Sequence, residues 1–226
     1  MRIQAISDIH GKLPKEPCPE CDLLIIAGDV CPDLRPIEEQ GRWLGEKFVP
    51  WLREQPATRI VGTWGNHDFA PMWKKHIPEE LFGELATFGV DELVEVEGLK
   101  IWLTPWVPNL SRWAFAFAED VPAPIRKEIP EGLDILVSHG PPFGYFDEAQ
   151  RPDGLIIGNS DPWGSHVGSK SLRNRCLEAK PKVVVCGHIH EGRGFSTTVW
   201  DGKIYNVSSL DRRYEPYDPR FMEVEI

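Results

Sequence analysis

Short apolar runs punctuate the chain at 2–7, 23–27, 59–62, 134–138 and 182–186. They are rich in Ile, Leu and Val, and each gives way to Asp, Gly, His or Asn. Short continuous apolar runs fit strands covered on both faces. Two pairs of segments fit hairpins: 93–96 with 100–104 around Glu97-Gly98, and 196–200 with 203–207 around Asp201-Gly202. The Asp-Gly pair is a type I′ turn signal. The stretch 221–226 alternates apolar and acidic residues and fits a last strand. Helical spacing is rarer. Ile37, Leu44, Phe48, Trp51 and Leu52 recur on one helical face after Pro36, read as an N1 proline, until Pro56 stops the run. Segments 78–87 and 169–179 are shorter helix candidates. Helices between the early strands and hairpins later on predict an α/β fold with mixed sheets. No repeat, low-complexity tract or linker interrupts the pattern, so one domain over 1–226 is expected.

Composition narrows the class. With 226 residues, 41% hydrophobic and 27% charged, the chain has material for one sizeable core and does not read as disordered. No apolar run approaches the roughly 18 residues that span a bilayer, and MRIQAISDIHG lacks the apolar stretch of a secretory leader. A cytoplasmic protein without membrane contact is therefore expected. The formal charge of −10 disfavours stable nucleic-acid binding, because phosphate backbones are repelled. It leaves room for a small phosphorylated substrate if bound metal supplies positive charge locally. The five cysteines, Cys18, Cys21, Cys31, Cys176 and Cys186, read as free thiols. Cys18 and Cys21 form a lone CxxC, which reads as a loop feeding the next strand before it reads as a zinc site.

The chemistry lies where the apolar runs end. Five of the seven histidines, His10, His67, His139, His188 and His190, follow directly after them, in company with Asp8, Asp29, Asn66 and Asp68. The segments are SDIHG (7–11), AGDV (27–30), GNHD (65–68), SHGPP (138–142) and GHIH (187–190). Strand C-terminal ends are where α/β folds gather ligand sites. Carboxylate, amide and imidazole donors suit borderline divalent ions such as Mn²⁺, Fe²⁺, Zn²⁺, Co²⁺ or Ni²⁺. Taken singly, Asp8 and Asp29 could cap turns, Asn66 could fill a turn, and His139 and His188 could be satisfied core histidines. Taken jointly, the donors are too many for one tetrahedral ion, and two ions sharing a carboxylate would use them all.

In this order, the five segments resemble the signature of the calcineurin-like metallophosphoesterases: DxH, GD, GNH with a following acid, an isolated His, and GHxH. The resemblance runs from Met1 to about Ser209. SHGPPFGYFD (138–147), HVGSKSL (166–172), GHIHEGRG (187–194) and the Pro/Trp-rich PWVPNLSRWAFAF (105–117) are similar to the branch of that family containing brain protein 239 and its bacterial and phage relatives. The resemblance implies a metallophosphoesterase-like sandwich of two mixed β-sheets flanked by α-helices. It implies two divalent transition-metal ions, Mn²⁺ foremost, with Fe, Zn, Co or Ni as the others. Asp8, His10 and His190 would hold one ion, Asn66, His139 and His188 the second, and Asp29 would bridge them. A hydroxide between the ions would attack phosphorus, His67 would assist the leaving group, and Asp68 would orient His67. The implied substrate is a small phosphodiester, cyclic-nucleotide-like. A phosphomonoesterase using the same centre and a non-catalytic scaffold stay open. Arg193 departs from the Tyr of the animal members and puts a basic side chain where it is expected to touch substrate.

Other residues carry weaker signals. His166, in a Gly/Ser-rich loop before the 169–179 helix, reads either as a phosphate contact or as a packing residue. His76 reads as a surface residue. Of nine tryptophans, Trp43 and Trp51 belong to the helical core. Trp64, Trp106, Trp113 and Trp163 lie in loops, where they either wall the cleft or stack on a base. The oligomeric state is not legible.

Overall fold

The computed structural model describes residues 1–33, 36–74, 77–119, 128–149 and 166–226. His76 and Trp163 lie outside them. The chain runs β1 (Ile3–Ile6), β2 (Cys21–Ala27), α1 (Ile37–Trp43), a π-helical turn (Leu44–Phe48), α2 (Val49–Arg53), β3 (Ala57–Thr63), α3 (Phe69–Trp73), α4 (Ile77–Phe82) and β4 (Thr87–Phe88). It continues through β5 (Glu92–Val96), β6 (Leu99–Thr104), β7 (Val107–Pro108), β8 (Ala116–Phe117), β9 (Ile135–Ser138), α5 (Lys170–Ala179), β10 (Val183–Cys186), β11 (Gly194–Thr197), β12 (Lys203–Asn206) and β13 (Met222–Val224).

Two mixed sheets result, together with a separate two-stranded parallel pair, β7-β8. One has the order β13-β1-β2-β3-β4, parallel except for β13; the other has the order β11-β12-β10-β9-β6-β5, parallel except at its two hairpin edges. Successive side chains of a strand face opposite sides, and here both sides are apolar. Ile3, Leu23, Ile25 and Val61 of the first sheet share a core with Ile101, Ile135, Val137, Val183 and Val185 of the second. Leu24, Ile26 and Ile60 turn outward against Phe48 and Leu52. Leu136, Val184 and Ile204 pack with Leu172 and Cys176 of α5. Each such fully buried side chain is worth about 1.5–3 kcal/mol relative to exposure, which accounts for the lack of polar alternation in these runs. The result is the expected sandwich with helices outside. No helix among the described residues is long and apolar enough to cross a membrane.

Local chemistry explains the departures from the periodicity. The helical run 37–53 widens into a π turn, with Val49 N–H donating to Leu44 O, directly before Pro50. A proline inside a helix removes a donor and crowds the preceding turn, and a π bulge absorbs that. Pro36 sits one position earlier than expected, at the N-cap. The 78–87 helix ends at Phe82, with Gly83 left-handed at φ 51°. The 169–179 candidate forms α5, and Ser169 caps it, its side chain accepting from Leu172 N at 3.0 Å. The two hairpin turns exchange roles. Glu97 and Gly98 have φ of 51° and 82°, the signs a type I′ turn needs. The Asp201-Gly202 turn is instead a wider loop. Trp200 folds inward onto Pro181 O, and a Cβ on Gly202 would stand 2.6 Å from that same oxygen. Cys18 and Cys21 are buried with their sulfurs 4.0 Å apart, and no His, Asp or Glu joins them in a metal-sized group among the described residues.

Candidate metal centre

All parallel strands of a sheet deliver their C-terminal ends to one edge, and here the edges of the two sheets meet. Asp8 follows β1, Asp29 follows β2, Asn66 and His67 follow β3, His139 follows β9, and His188 and His190 follow β10. Asp8, His10, Asp29 and His188 have φ of 55°, 45°, 52° and 70°. Left-handed backbone at non-glycine residues costs on the order of 1–3 kcal/mol each, and the surroundings must hold it. They do so: Asp8 N donates to Gly28 O at 3.0 Å and His10 N to Asp29 O at 2.9 Å. His188 N donates to both oxygens of the Asp8 carboxylate, at 3.1 and 3.0 Å, joining one sheet to the other.

The side chains converge. His10 Nε2 lies 3.2 Å from His190 Nε2, 3.9 Å from Asp8 Oδ1 and 3.7 Å from Asp29 Oδ2. His139 Nε2 lies 3.2 Å from Asp29 Oδ2 and 3.1 Å from Asn66 Oδ1, and the His188 ring stands against His139. Three donor groups fall within metal-sized reach: Asp8, His10 and His190; Asp29, His139 and His188; and His10, Asp29 and His67. His190 Nδ1 donates to Asp211 O at 2.9 Å and His139 Nδ1 to Ala27 O at 2.8 Å. In the neutral ring each bond leaves Nε2 as a lone pair aimed inward, the arrangement of metal-ligating histidines. Nitrogens that close repel unless a metal ion or a proton lies between them. The donor set therefore fits metal ions, and these groups are positioned to bind them.

Electrostatics agree. Asp8 and Asp29 are buried, which alone would raise their carboxyls, yet both are held below the usual range, Asp8 chiefly by His190 and Asp29 by His139. Burial likewise opposes charge on His139 and His190, but Asp29 and Asp8 outweigh it and lift both to about 9. His10 and His188 are driven down by burial to about 4 and about 3. The cluster thus balances two buried anions with whatever positive charge lies nearest.

His67 stands beside this cluster. Its Nε2 is 4.0 Å from Asp29 Oδ2, and its backbone N–H donates to Asp29 Oδ1 at 2.7 Å. The orienting carboxylate is a correction to the sequence reading. His67 Nδ1 donates to Asp33 Oδ1 at 2.6 Å. Asp68 instead accepts from the backbone N–H groups of Cys31 at 2.8 Å and Gly65 at 2.8 Å. Asp68 thereby splices the AGDV loop to the GNHD turn, and burial with the Asp29 charge keeps its carboxyl up at about 6. Asp33 was visible as the second acid of GDVCPD.

Arg193 is a second correction. Its guanidinium donates to the carbonyls of Ser208, Pro219 and Arg220 and lies over the Tyr217 ring, so its donors are engaged in bracing the C-terminal segment. His166 is held by the buried Asp147, Nδ1 to Oδ1 at 2.6 Å, which raises it above the usual imidazole range. It lines a cavity of about 530 Å³ with Phe143, Lys170 and Asn109, none of them a donor of the cluster. Among the loop tryptophans, Trp64 is core, Trp106 donates to Asp91 Oδ2 at 2.6 Å, and Trp113 lies against His67 with ring centroids 4.3 Å apart. Tyr214, which carried no sequence signal, packs edge-on to His10 and His190 at 5.0 and 4.9 Å, and burial first, then Asp29, push its phenol up to about 12.

Gly65 shows how little slack the cluster has. A Cβ there would meet the Asp29 carboxylate, stand 2.6 Å from Asp29 N and 2.7 Å from His139 Cε1. Gly65→Ala is expected to keep the fold but weaken metal binding by roughly 10–100-fold, the effect of displacing a ligand's support. Titration of the purified variant with Mn²⁺ checks this; unchanged affinity would mean that the turn can move freely.

The family model for calcineurin-like phosphoesterases matches residues 1–192. Metallophosphoesterase domain-containing protein 1 of Homo sapiens and that of Mus musculus are each 30% identical over 246 residues, covering 96% of this chain and 69% of theirs. A solved crystal structure superposes with a TM-score of 0.63 at 13% identity over 99% of this chain and 98% of that one, a likeness of fold.

Proposed function

The chain belongs to the calcineurin-like phosphoesterase family, and on that premise we propose that it hydrolyses a small phosphodiester of the cyclic-nucleotide kind with two divalent transition-metal ions, Mn²⁺ foremost. The supporting observation is the placement of Asp29, which has His10 on one side and His139 on the other at 3.7 and 3.2 Å from the same oxygen. Asp8, His10 and His190 would hold one ion, Asn66, His139 and His188 would hold the other, and Asp29 would be shared between them. When bound, such ions supply a Lewis acid for phosphoryl oxygens and a water acidic enough to act as nucleophile near neutral pH. The chain's own part is proton delivery. Asp33 accepts Nδ1–H of His67 and stabilises the ring when doubly protonated, so that its Nε2–H serves the leaving oxygen.

The preference for a diester rests on the stretches 138–147, 166–172 and 187–194 that are similar to the brain protein 239 branch. A panel in Mn²⁺ tests it. Bis-p-nitrophenyl phosphate and 2′,3′- or 3′,5′-cyclic nucleotides are expected to be hydrolysed at least tenfold faster than p-nitrophenyl phosphate, as kcat/KM. Activity on the monoester alone would defeat the reading.

A further inference from the structure

We propose that Trp113 is the wall on which the base of a nucleotide substrate stacks while its phosphate lies at the Asp29-centred cluster, an inference that rests on the phosphodiesterase reading above.

Trp113 is 38% exposed, although it belongs to a loop that is otherwise pinned. Its neighbours Ala114 and Phe115 are buried. Ala114 N donates to Asn66 O at 3.0 Å, Phe115 N reaches Met72 Sδ at 3.3 Å, and Trp113 N donates to Leu110 O at 3.2 Å. Asn109, Arg112 and Phe115 have φ of 57°, 75° and 47°. Strained backbone of this kind persists only where the surroundings over-determine it. The loop is therefore locked to the very turn that carries Asn66 and His67, and it spends that rigidity on presenting a large aromatic side chain that is not fully covered.

The location gives the exposure its meaning. The indole sits against the ring of His67, tilted 44°, with the Phe69 ring 6.1 Å away between centroids. The Nε2 of His67 in turn reaches toward Asp29. Trp113 thus stands directly beside the group proposed to serve the leaving oxygen, with ring centroids 4.3 Å apart, and the leaving portion of an ester held at the cluster would pass next to it. A planar ring attached to that portion meets the free indole surface. Stacking of this kind tolerates any base, because every base has a π face. Trp64 and Trp106 offer no such surface: the first is enclosed and the second is tied to Asp91.

The test compares two ligands that share a phosphate and differ in the base. Adenosine 5′-monophosphate and ribose 5-phosphate are titrated into the Mn²⁺-loaded protein by calorimetry. The wild-type protein is expected to bind the nucleotide more tightly. Trp113→Ala should weaken the nucleotide by roughly 5- to 150-fold, the range for one stacked base, and leave ribose 5-phosphate within about twofold. Trp113→Leu, which keeps bulk against His67, should show the same split, whereas Trp113→Phe should retain most of the affinity. Equal weakening of both ligands, or no preference for the nucleotide in the wild type, would overturn the proposal, since Trp113 would then only support His67. Calorimetry needs no turnover, so a protein that hydrolyses no diester yet shows the split refutes the function and keeps the wall. Cyclic-nucleotide hydrolysis unaffected by Trp113→Ala does the reverse.

Discussion

Asp29→Asn is expected to strip both ions from the protein together, with metal affinity falling by more than the roughly 10–100-fold that loss of an outer supporting partner costs. Asp29 Oδ2 is the oxygen that stands near three rings, at 3.2 Å from His139, 3.7 Å from His10 and 4.0 Å from His67. Asparagine keeps an acceptor for the His67 backbone N–H, so the turn survives. It removes the charge that both donor groups share and can place an amide N–H₂ where the shared oxygen was. Asp8→Asn serves as the comparison, because Asp8 belongs only to the group with His10 and His190. There the ion of that group should be lost first. Metal analysis after dialysis against a fixed Mn²⁺ concentration, with far-UV circular dichroism as the fold control, reads both. Retention of one ion in Asp29→Asn would contradict the bridging role.

The strands that carry the centre were legible because burial on both faces leaves an unbroken apolar run, and because a metal donor must follow such a run at its C-terminal end. The closing strand and helix α5 were legible for equally local reasons. What pattern reading missed was set by partners distant in sequence. Pro50 sits at helical spacing, and only the missing donor reveals the π turn it demands. Gly202 resembles a turn residue, but its small size serves close approach to Pro181. Tyr214 comes from a segment with no periodicity and is placed by contact with His10 and His190. Arg193 was read as a substrate contact from the family resemblance, as a basic side chain where the animal members have Tyr, whereas three backbone carbonyls at the C-terminal end claim its guanidinium. The donors were visible as residue types; their supports were not, because support depends on which loop folds over which.

The clearest case is the carboxylate behind His67, and it yields the second large effect. His67→Ala should retain both ions and the fold while turnover falls on the order of 10²–10⁴-fold, the range for a positioned acid–base group. Asp33→Asn should reproduce part of that loss, about tenfold or more, because the amide can still meet Nδ1 but cannot stabilise the charged ring. Asp68→Asn should behave differently. Its two oxygens accept from Cys31 N and Gly65 N, and an amide can satisfy only one of them while turning a donor on the other. That exchange leaves a buried N–H unpaired at a cost of about 1–3 kcal/mol. For a chain of this size it lowers the melting midpoint by roughly 2–4 °C per kcal/mol. Measuring kcat and thermal midpoint for the three variants separates the roles. A kcat loss in Asp68→Asn at unchanged midpoint, with Asp33→Asn indistinguishable from wild type, would return the orienting role to Asp68. The opposite split follows from the 2.6 Å contact between Asp33 and His67, because a proton donor at the leaving oxygen depends on the charge directly behind it and not on the residue next to it in sequence.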